Sequence, residues 1–93
     1  MIETAGERMQ VVGPMVIASA AKLKTEGEAA LAAGVTEADL AGVTDADSSA
    51  IAVLLAWTRA AQQRGQRLAV ANPPDGIRSL AALYGVAELL SLG

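Results

Sequence analysis

Cysteine and histidine are both absent from this chain of 93 residues. Without cysteine, the sequence holds neither a disulfide framework nor a thiolate that could act as metal ligand or nucleophile. Without histidine, it lacks the imidazole that serves as base in catalytic triads and as the commonest metal ligand. We therefore expect no catalytic residue, no metal site and no cofactor.

Basic residues and long apolar runs are also scarce. Seven basic residues stand against ten acidic ones, for a formal net charge of −3. Nucleic-acid binding needs dense Lys and Arg, and only Lys22 and Lys24 lie close together. The longest apolar run, Ala50–Trp57, is far shorter than the roughly 20 residues that span a bilayer. Glu3 and Glu7 occupy a region where a signal peptide would carry positive charge. These features predict a cytoplasmic protein with no nucleic-acid partner and no direct membrane insertion.

Aromatic residues are nearly missing, because Phe is absent and only Trp57 and Tyr84 represent the class. Hydrophobic residues nevertheless make up 53% of the chain, and 21 of the 93 residues are Ala. This composition is typical of a folded protein whose backbones approach closely, with Leu, Val and Ile as filling. The length allows one domain, which we expect to span residues 1–93.

The first part of the chain predicts two strands and a helix. The runs Arg8–Val12 and Met15–Ala20 are separated by Gly13-Pro14, which favours a strand, a tight turn and a second strand. Lys22–Gly34 then combines hydroxyl and acidic residues at its start, an Ala-rich interior and a glycine at its end. Those are the signals of a short helix.

The segment Val35–Val43 admits two interpretations. Thr36 followed by Asp39 three residues later resembles a capping box and favours another helix. Ala38–Leu40 could equally be a short central strand. Local propensity does not choose between them.

Ser48–Gly65 carries the clearest helical pattern. The Asp and Ser residues before and at its start can cap free N–H groups, and their charge suits the positive end of a helix. Ile51 and Leu54 share one face at helical spacing, and the adjacent side is apolar as well. A helix that is apolar around most of its girth is either deeply buried or contacts something besides its own sheet.

The last third of the chain predicts a strand at Arg67–Ala71 and a helix from Asp75 to Gly85. Val86–Leu92 is short and apolar and fits either a final strand or a helical turn. The order of elements along the whole chain is typical of an α/β (α+β) sheet with crossover helices.

Two segments resemble the STAS-domain family. The first runs from Ala38-Asp39-Leu40 through Asp47-Ser48-Ser49 to Leu55, where a strand ending in Asp-Leu is followed by a loop, an Asp-Ser pair and an apolar helix. The second, Leu80–Leu90, resembles the end of the MlaB-like subunit of the Mla phospholipid-transport ABC complex in particular. The resemblance implies that Ala38–Leu40 is a strand. It also implies a mixed sheet of about four to five strands with about three to four helices, mostly on one face.

The resemblance also implies a site at the start of the second helix. In the anti-sigma factor antagonists of this family, the serine that matches Ser48 is phosphorylated by a partner kinase, so Ser48 is the candidate phosphosite. One departure is that Ser49 and Ala50 stand where many relatives have glycine. The predicted partner-binding residues are Asp45, Asp47, Ser48, Ser49, Ala50, Val53 and Trp57.

Several of these residues have a purely structural interpretation beside the functional one. Asp and Ser at a helix start are often simple caps, and capping is compatible with partner contact. Trp57 either fills a gap in an Ala-rich core or anchors an interface. Arg59 and Arg64 are expected on a solvated helix face, and Asp39 is expected to make hydrogen bonds at a strand end.

The sequence leads to two functional hypotheses. The first is a non-catalytic subunit that binds the ATPase of an Mla-type ABC transporter, located peripherally at the inner membrane through that partner. The second is an anti-sigma factor antagonist that binds an anti-sigma kinase and is released by phosphorylation of Ser48. An apolar partner face would also be compatible with a weak homodimer. No enzyme is expected, since Asp45 and Asp47 without a base, a metal or a pocket are better explained as caps.

Overall fold

The computed structural model describes residues 1–92 and contains one mixed four-stranded sheet and three helices. In spatial order, the strands are β1 (Ile2–Ala5), β2 (Arg8–Met15), β3 (Glu37–Ala46) and β4 (Ala69–Ala71). The helices are α1 (Ile17–Ala32), α2 (Ser48–Gln63) and α3 (Asp75–Leu83). β1 and β2 are antiparallel, whereas β2, β3 and β4 run parallel. The predicted α/β class with a mixed sheet is confirmed.

The N-terminal hairpin lies earlier in the chain than the sequence predicted. Its turn is Gly6-Glu7, with Gly6 at a φ of 61°, and Gly13-Pro14 lies within β2 instead of ending it. Proline is tolerated there because β1 pairs with β2 only as far as Val12, so the missing N–H of Pro14 removes no bond to β1. The register against β3 shifts between Gly13 and Met15, which absorbs the irregularity.

The prediction of a strand at Met15–Ala20 is wrong. β2 ends at Met15 and α1 starts at Ile17, so the helix predicted from Lys22 begins more than one turn earlier. The β-branched pair of Val16 and Ile17 favours a strand locally. Contacts from elsewhere in the chain, described below, override that preference.

The second half of the chain follows the prediction more closely. α2 begins at the predicted Ser48 and ends at Gln63, and residues 37–43 of the ambiguous segment belong to the ten-residue strand β3. β4 is shorter than predicted, with three residues. Val86–Leu92 forms turns and no strand, although Leu90 and Leu92 are buried in the core.

The core lies between the helices and one face of the sheet. Alternate residues of β2 point into it, since Met9 and Val11 are fully buried while Arg8 and Gln10 are exposed. α1 and α2 pack closely on each other at Gly27, where an added methyl group would overlap the indole ring of Trp57. Other large core side chains are Leu23, Leu31, Leu40, Leu54 and Ile77.

The topology brings three helix starts to one edge of the sheet. α1, α2 and α3 each follow one of the parallel strands β2, β3 and β4. The carboxyl ends of parallel strands lie at the same edge, so the N-termini of the three helices gather there. The predicted site at the start of α2 belongs to this edge.

Candidate functional site

Asp47 shapes the junction between β3 and α2. Its backbone is extended, with φ −125° and ψ −169°, and it is the N-cap residue of the helix. Its Oδ1 accepts a hydrogen bond of 2.8 Å from the N–H of Ser49, and its carbonyl oxygen accepts one of 3.0 Å from the N–H of Ala50. Free N–H groups at the start of α2 are thus satisfied by the residue that precedes it.

The same carboxylate also holds the start of α1. Its Oδ2 accepts a hydrogen bond of 3.1 Å from the N–H of Ile17, the first residue of that helix. The hydrogen bond from Ser49, together with the one from Ile17, lowers the pKa of Asp47 below its ordinary value. One ionised side chain therefore joins the N-termini of two helices, where negative charge is favoured by both helix dipoles.

Ser48 occupies the first position of α2 and is exposed to solvent. Within residues 1–92, its hydroxyl makes no hydrogen bond, because the capping role belongs to Asp47. Asp45 is exposed just before it, and Ser49 is partly exposed just after it. The structure thus places four of the predicted partner-binding residues together on one surface.

Three other predicted partner-binding residues are buried, and the prediction is corrected for them. Ala50 and Trp57 have no exposed surface and Val53 is 2% exposed, so none of them can meet a partner. The indole Nε1 of Trp57 donates a hydrogen bond of 3.2 Å to the carbonyl oxygen of Lys24 in α1. The interpretation of Trp57 as core filling is confirmed, and its interpretation as an interface anchor is wrong. α2 is apolar around most of its circumference because it packs against α1 and α3 and contributes side chains to the core.

Ile17 is a surface residue of this site that the sequence did not reveal. Its side chain is 80% exposed, the highest value among the large apolar residues of the described chain. It lies next to the junction because its own N–H donates to Asp47. The sequence predicts Ile17 inside a strand, and no local pattern relates it to Asp47, which lies thirty positions further along the chain. We call the surface formed by Ile17, Asp45, Asp47, Ser48 and Ser49 the corner surface.

A shallow cleft of about 230 Å³ continues the corner surface toward α3. Its lining includes Asp45 and Ala46 at the end of β3 and Pro74 and Gly76 at the start of α3. The cleft is open and contains no pair of groups suited to acid–base chemistry. It extends the area available to a partner without adding a reactive centre.

Asp39 has a structural role inside β3. It is 5% exposed, and its carboxylate accepts hydrogen bonds from the Ala41 N–H at 2.9 Å and from Asn72 Nδ2 at 3.1 Å. These two bonds, and Arg8 at 3.3 Å, lower the pKa of Asp39. The predicted hydrogen bonding is present, although Asp39 lies within the strand and not at its end. The carboxylate holds Asn72, whose φ is 53°, in the loop that leads to α3.

The two arginines of α2 and its C-terminal end, Arg59 and Arg64, are exposed as expected. Arg64 additionally donates a hydrogen bond of 3.2 Å to the carbonyl oxygen of Ala32. Across residues 1–92, no three His, Cys, Asp or Glu side chains cluster closely enough to hold a metal ion. In the same range, none of the helices combines the length and apolar character needed to cross a membrane.

Two solved structures share this fold. One is that of the anti-sigma factor antagonist SpoIIAA in its unphosphorylated form, with a TM-score of 0.65 and 16% identity over 86% of this chain and 78% of that chain. The other is the Bacillus cell fate determinant SpoIIAA in the phosphorylated form, with a TM-score of 0.65 and 16% identity over 95% of this chain and 85% of that chain. At this identity the likeness concerns the fold. No curated protein matches the sequence significantly.

A family model described as "Mlab, STAS domain" matches residues 2–91. The match covers all seven strands and helices, including the strand and helix that meet at Asp47. It confirms the resemblance found in the segments 38–55 and 80–90. The chain therefore belongs to the STAS-domain family, in the group that the model describes as MlaB.

Proposed function

We propose that this chain is a non-catalytic subunit that binds the ATPase of an Mla-type ABC transporter and supports phospholipid transport, by which lipid asymmetry is maintained. STAS domains are in general regulatory or interaction domains that bind protein partners such as kinases and ATPases. The family match and the seven elements it covers support the membership on which this proposal rests. In this proposal the protein is cytoplasmic and reaches the inner membrane only through its partner.

The observation that carries the proposal is the composition of the corner surface. Ile17, an exposed large apolar residue, is joined through its backbone N–H to the carboxylate of Asp47, and Asp45 and Ser48 are exposed within two residues of Asp47. An apolar centre with a polar rim is the usual anatomy of a protein–protein interface. The hydrogen bonds of Asp47 fix the positions of both helix starts, so the surface is formed before the partner arrives.

The test is co-purification of a tagged chain from its host, with the bound proteins identified by mass spectrometry. We expect an ABC ATPase and its permease with the wild-type chain, and their loss with Ser48→Glu, which adds charge and bulk at the corner surface. Ser48→Ala should retain them, because it adds neither charge nor bulk to the corner surface and leaves the helix cap, which Asp47 provides, intact. Gln63→Glu is the matched control, since it adds the same charge to the exposed opposite end of α2.

Each outcome bears on a different part of the proposal. If Ser48→Glu retains the ATPase as well as Gln63→Glu does, the corner surface is not the binding site. If the wild-type chain recovers no ABC ATPase, the transporter role is wrong. Circular dichroism of the variants separates loss of binding from loss of folding.

A second candidate function is that of an anti-sigma factor antagonist. It is favoured by the free hydroxyl of Ser48 at the first position of α2 and by the fold shared with SpoIIAA, which has been solved in a phosphorylated form. A phosphate would add about −1.5 to −2 charges at a helix N-terminus that tolerates it. Beside Asp45 and Asp47, that charge would repel an acidic partner and release it while the fold stays intact.

Incubation with the host's anti-sigma kinases and ATP tests this second candidate. A mass gain of one phosphate on Ser48, absent in Ser48→Ala, together with recovery of such a kinase in the co-purification, would support it. No modification of Ser48 by any of them would contradict it.

A further inference from the structure

The outer edge of β1 has free hydrogen-bonding groups. β1 pairs with β2 on one side, and nothing within residues 1–92 pairs with its other side. Met1 and Val12 exchange two hydrogen bonds, of 2.8 and 2.9 Å, and so form a hydrogen-bonded pair. In an antiparallel ladder such pairs alternate with pairs that are not hydrogen-bonded, and Ile2 and Thr4 belong to the second kind. The N–H and C=O groups of Ile2 and Thr4 consequently point away from β2. Such an edge can accept one more strand.

An apolar groove of about 400 Å³ runs beside this free edge, between β1 and α1. The side chains of Ile2 and Thr4 face it, because their partners Val11 and Met9 point into the core. Its other wall is the small-residue side of α1, so room remains for side chains from outside. The remaining lining residues are Gly6, Glu26, Ala29, Ala30, Ala33 and Val35.

Glu26 gives the groove a specific chemical requirement. Its Oε1 is buried and has no hydrogen-bond partner, although the residue as a whole is partly exposed and lines an otherwise apolar groove. None of the Lys and Arg residues within residues 1–92 forms an ion pair with it. An unpaired buried acceptor is destabilising, so a partner's donor group that reaches it through the groove would strengthen binding.

The charge around this edge decides between two occupants. Glu3 and Glu7 are exposed on β1 and in the turn that follows it, and Glu26 lies in the groove. A second copy of this chain added edge to edge would bring the same acidic groups together. A basic segment would instead meet complementary charge at these three carboxylates.

We propose that the outer edge of β1 and the adjoining groove bind an extended, basic segment of a partner protein by strand addition. Main-chain hydrogen bonds to Ile2 and Thr4 hold the added strand. Its alternate side chains enter the groove over Ala29 and Ala33, and a Lys or Arg among them donates to Glu26. This surface lies apart from the corner surface and does not depend on its role.

Selection of peptides on the intact protein tests the proposal. A random dodecapeptide library displayed on phage is selected on the wild-type chain and counter-selected on Thr4→Pro. Proline removes the outward N–H of residue 4 and is tolerated on an edge strand. We expect the enriched peptides to alternate apolar residues with others and to carry at least one Lys or Arg.

Affinities of the enriched peptides, measured by fluorescence anisotropy, provide the decisive comparison. Glu26→Gln should weaken binding by at least about tenfold, because the charge-assisted hydrogen bond from a Lys or Arg of the peptide to the buried Oε1 is lost. Glu28→Gln is the matched control, since it removes the same charge from the same helix outside the groove, and it should change affinity by less than about twofold. Shifts of the Ile2 and Thr4 amide signals in NMR spectra should accompany binding.

Several outcomes would overturn the proposal. Failure to enrich any peptide over the Thr4→Pro background shows that the edge accepts no strand. If the peptides bind Glu26→Gln with the same affinity as the wild-type chain, no Lys or Arg of the added strand donates to Glu26, and the proposed basic partner is wrong. Dimerisation of the chain that Thr4→Pro abolishes would assign the edge to a second copy instead. If Thr4→Pro does not fold, Glu26→Gln and the NMR shifts decide the result alone.

Discussion

α1 and α2 are helices of equal length, sixteen residues each, that pack on each other on the same side of the sheet. The sequence predicted the start of α2 at the correct residue and placed a strand over the start of α1. The difference lies in where each helix finds its cap. Asp47 precedes α2 directly, whereas α1 depends partly on the same Asp47 from thirty residues further along the chain.

The start of α1 also has a local contribution, but it is a weak signal in the sequence. The Ser19 hydroxyl accepts a hydrogen bond of 3.1 Å from the Val16 N–H and donates one of 2.8 Å to the Pro14 carbonyl oxygen. A serine inside the first turn after two β-branched residues does not resemble an ordinary N-cap. The comparison shows that a helix boundary is readable from sequence when its cap is adjacent, and hidden when the cap comes from another element.

The largest effect is expected where the two helices touch. Gly27→Ala should lower the free energy of unfolding by about 2 kcal/mol, because the added methyl group overlaps the fully buried ring of Trp57. Helix propensity alone would raise the free energy of unfolding by about 1 kcal/mol. The sign of the measured change therefore distinguishes the contact with Trp57 from helix propensity. Urea unfolding followed by circular dichroism measures it.

Gly76→Ala provides the control for this substitution. Gly76 lies in the first turn of α3 with no heavy atom near the added methyl group, and alanine there should be neutral or stabilise slightly. If Gly27→Ala is more stable than the wild type, the close packing of α1 on Trp57 does not contribute to stability. Tertiary contacts would then not be what fixes α1.

A smaller and more selective effect is expected from Asp47→Asn. The amide has one acceptor oxygen, which should keep the shorter bond to Ser49 and abandon the longer one to Ile17. Amide hydrogen exchange should accelerate several-fold at Ile17 and little at Ser49. Asp47→Ala should accelerate it at both positions.

Ser19→Ala sharpens the same comparison, because it removes a hydrogen bond that serves α1 alone. It should cost about 1 kcal/mol and leave exchange at Ser49 unchanged. Equal acceleration at Ile17 and Ser49 in Asp47→Asn would contradict the shared cap.

The smallest effect concerns pH. The pKa of Asp47 is lowered by the Ser49 N–H, and that of Asp39 by the Ala41 N–H, below an ordinary value of 3.8. The unfolded chain therefore takes up protons first, so the stability that these two carboxylates contribute is fully present well above this value and is lost as pH falls through the lower folded-state pKa. Thermal unfolding from pH 7 downward should show a decline that begins at about pH 4 to 5.

In Asp47→Asn, the loss of stability with falling pH should be smaller than in the wild type, because only the contribution of Asp39 remains. Asp45→Asn is the control for the loss of one negative charge, since Asp45 lies two residues before Asp47 and accepts no hydrogen bond within residues 1–92. An unchanged slope in Asp47→Asn would show that the carboxylate does not stabilise the helix starts.

The candidate site was predictable in part, for reasons that its residues make clear. Asp45, Asp47, Ser48 and Ser49 lie within five consecutive positions, and their cap chemistry and family pattern are local properties of the sequence. Ile17 entered the site only because the parallel arrangement of β2 and β3 brings two helix starts together. Ala50, Val53 and Trp57 are predicted as partner-binding residues from the family resemblance and from the apolar character of α2 around most of its circumference, and neither of these shows that α1 covers the second side of α2.

The sequence by itself determined the α/β class, the start of α2 and the lack of thiol and imidazole chemistry, because these depend on residue types and on neighbours within one turn. The tertiary structure decided the start of α1, the burial of Trp57 against Gly27 and the exposed pairing edge of β1 beside Glu26. These features arise from contacts between residues about thirty positions apart, or from the order of strands in the sheet. Local preference cannot encode such contacts, since their free energy is realised only when the elements pack.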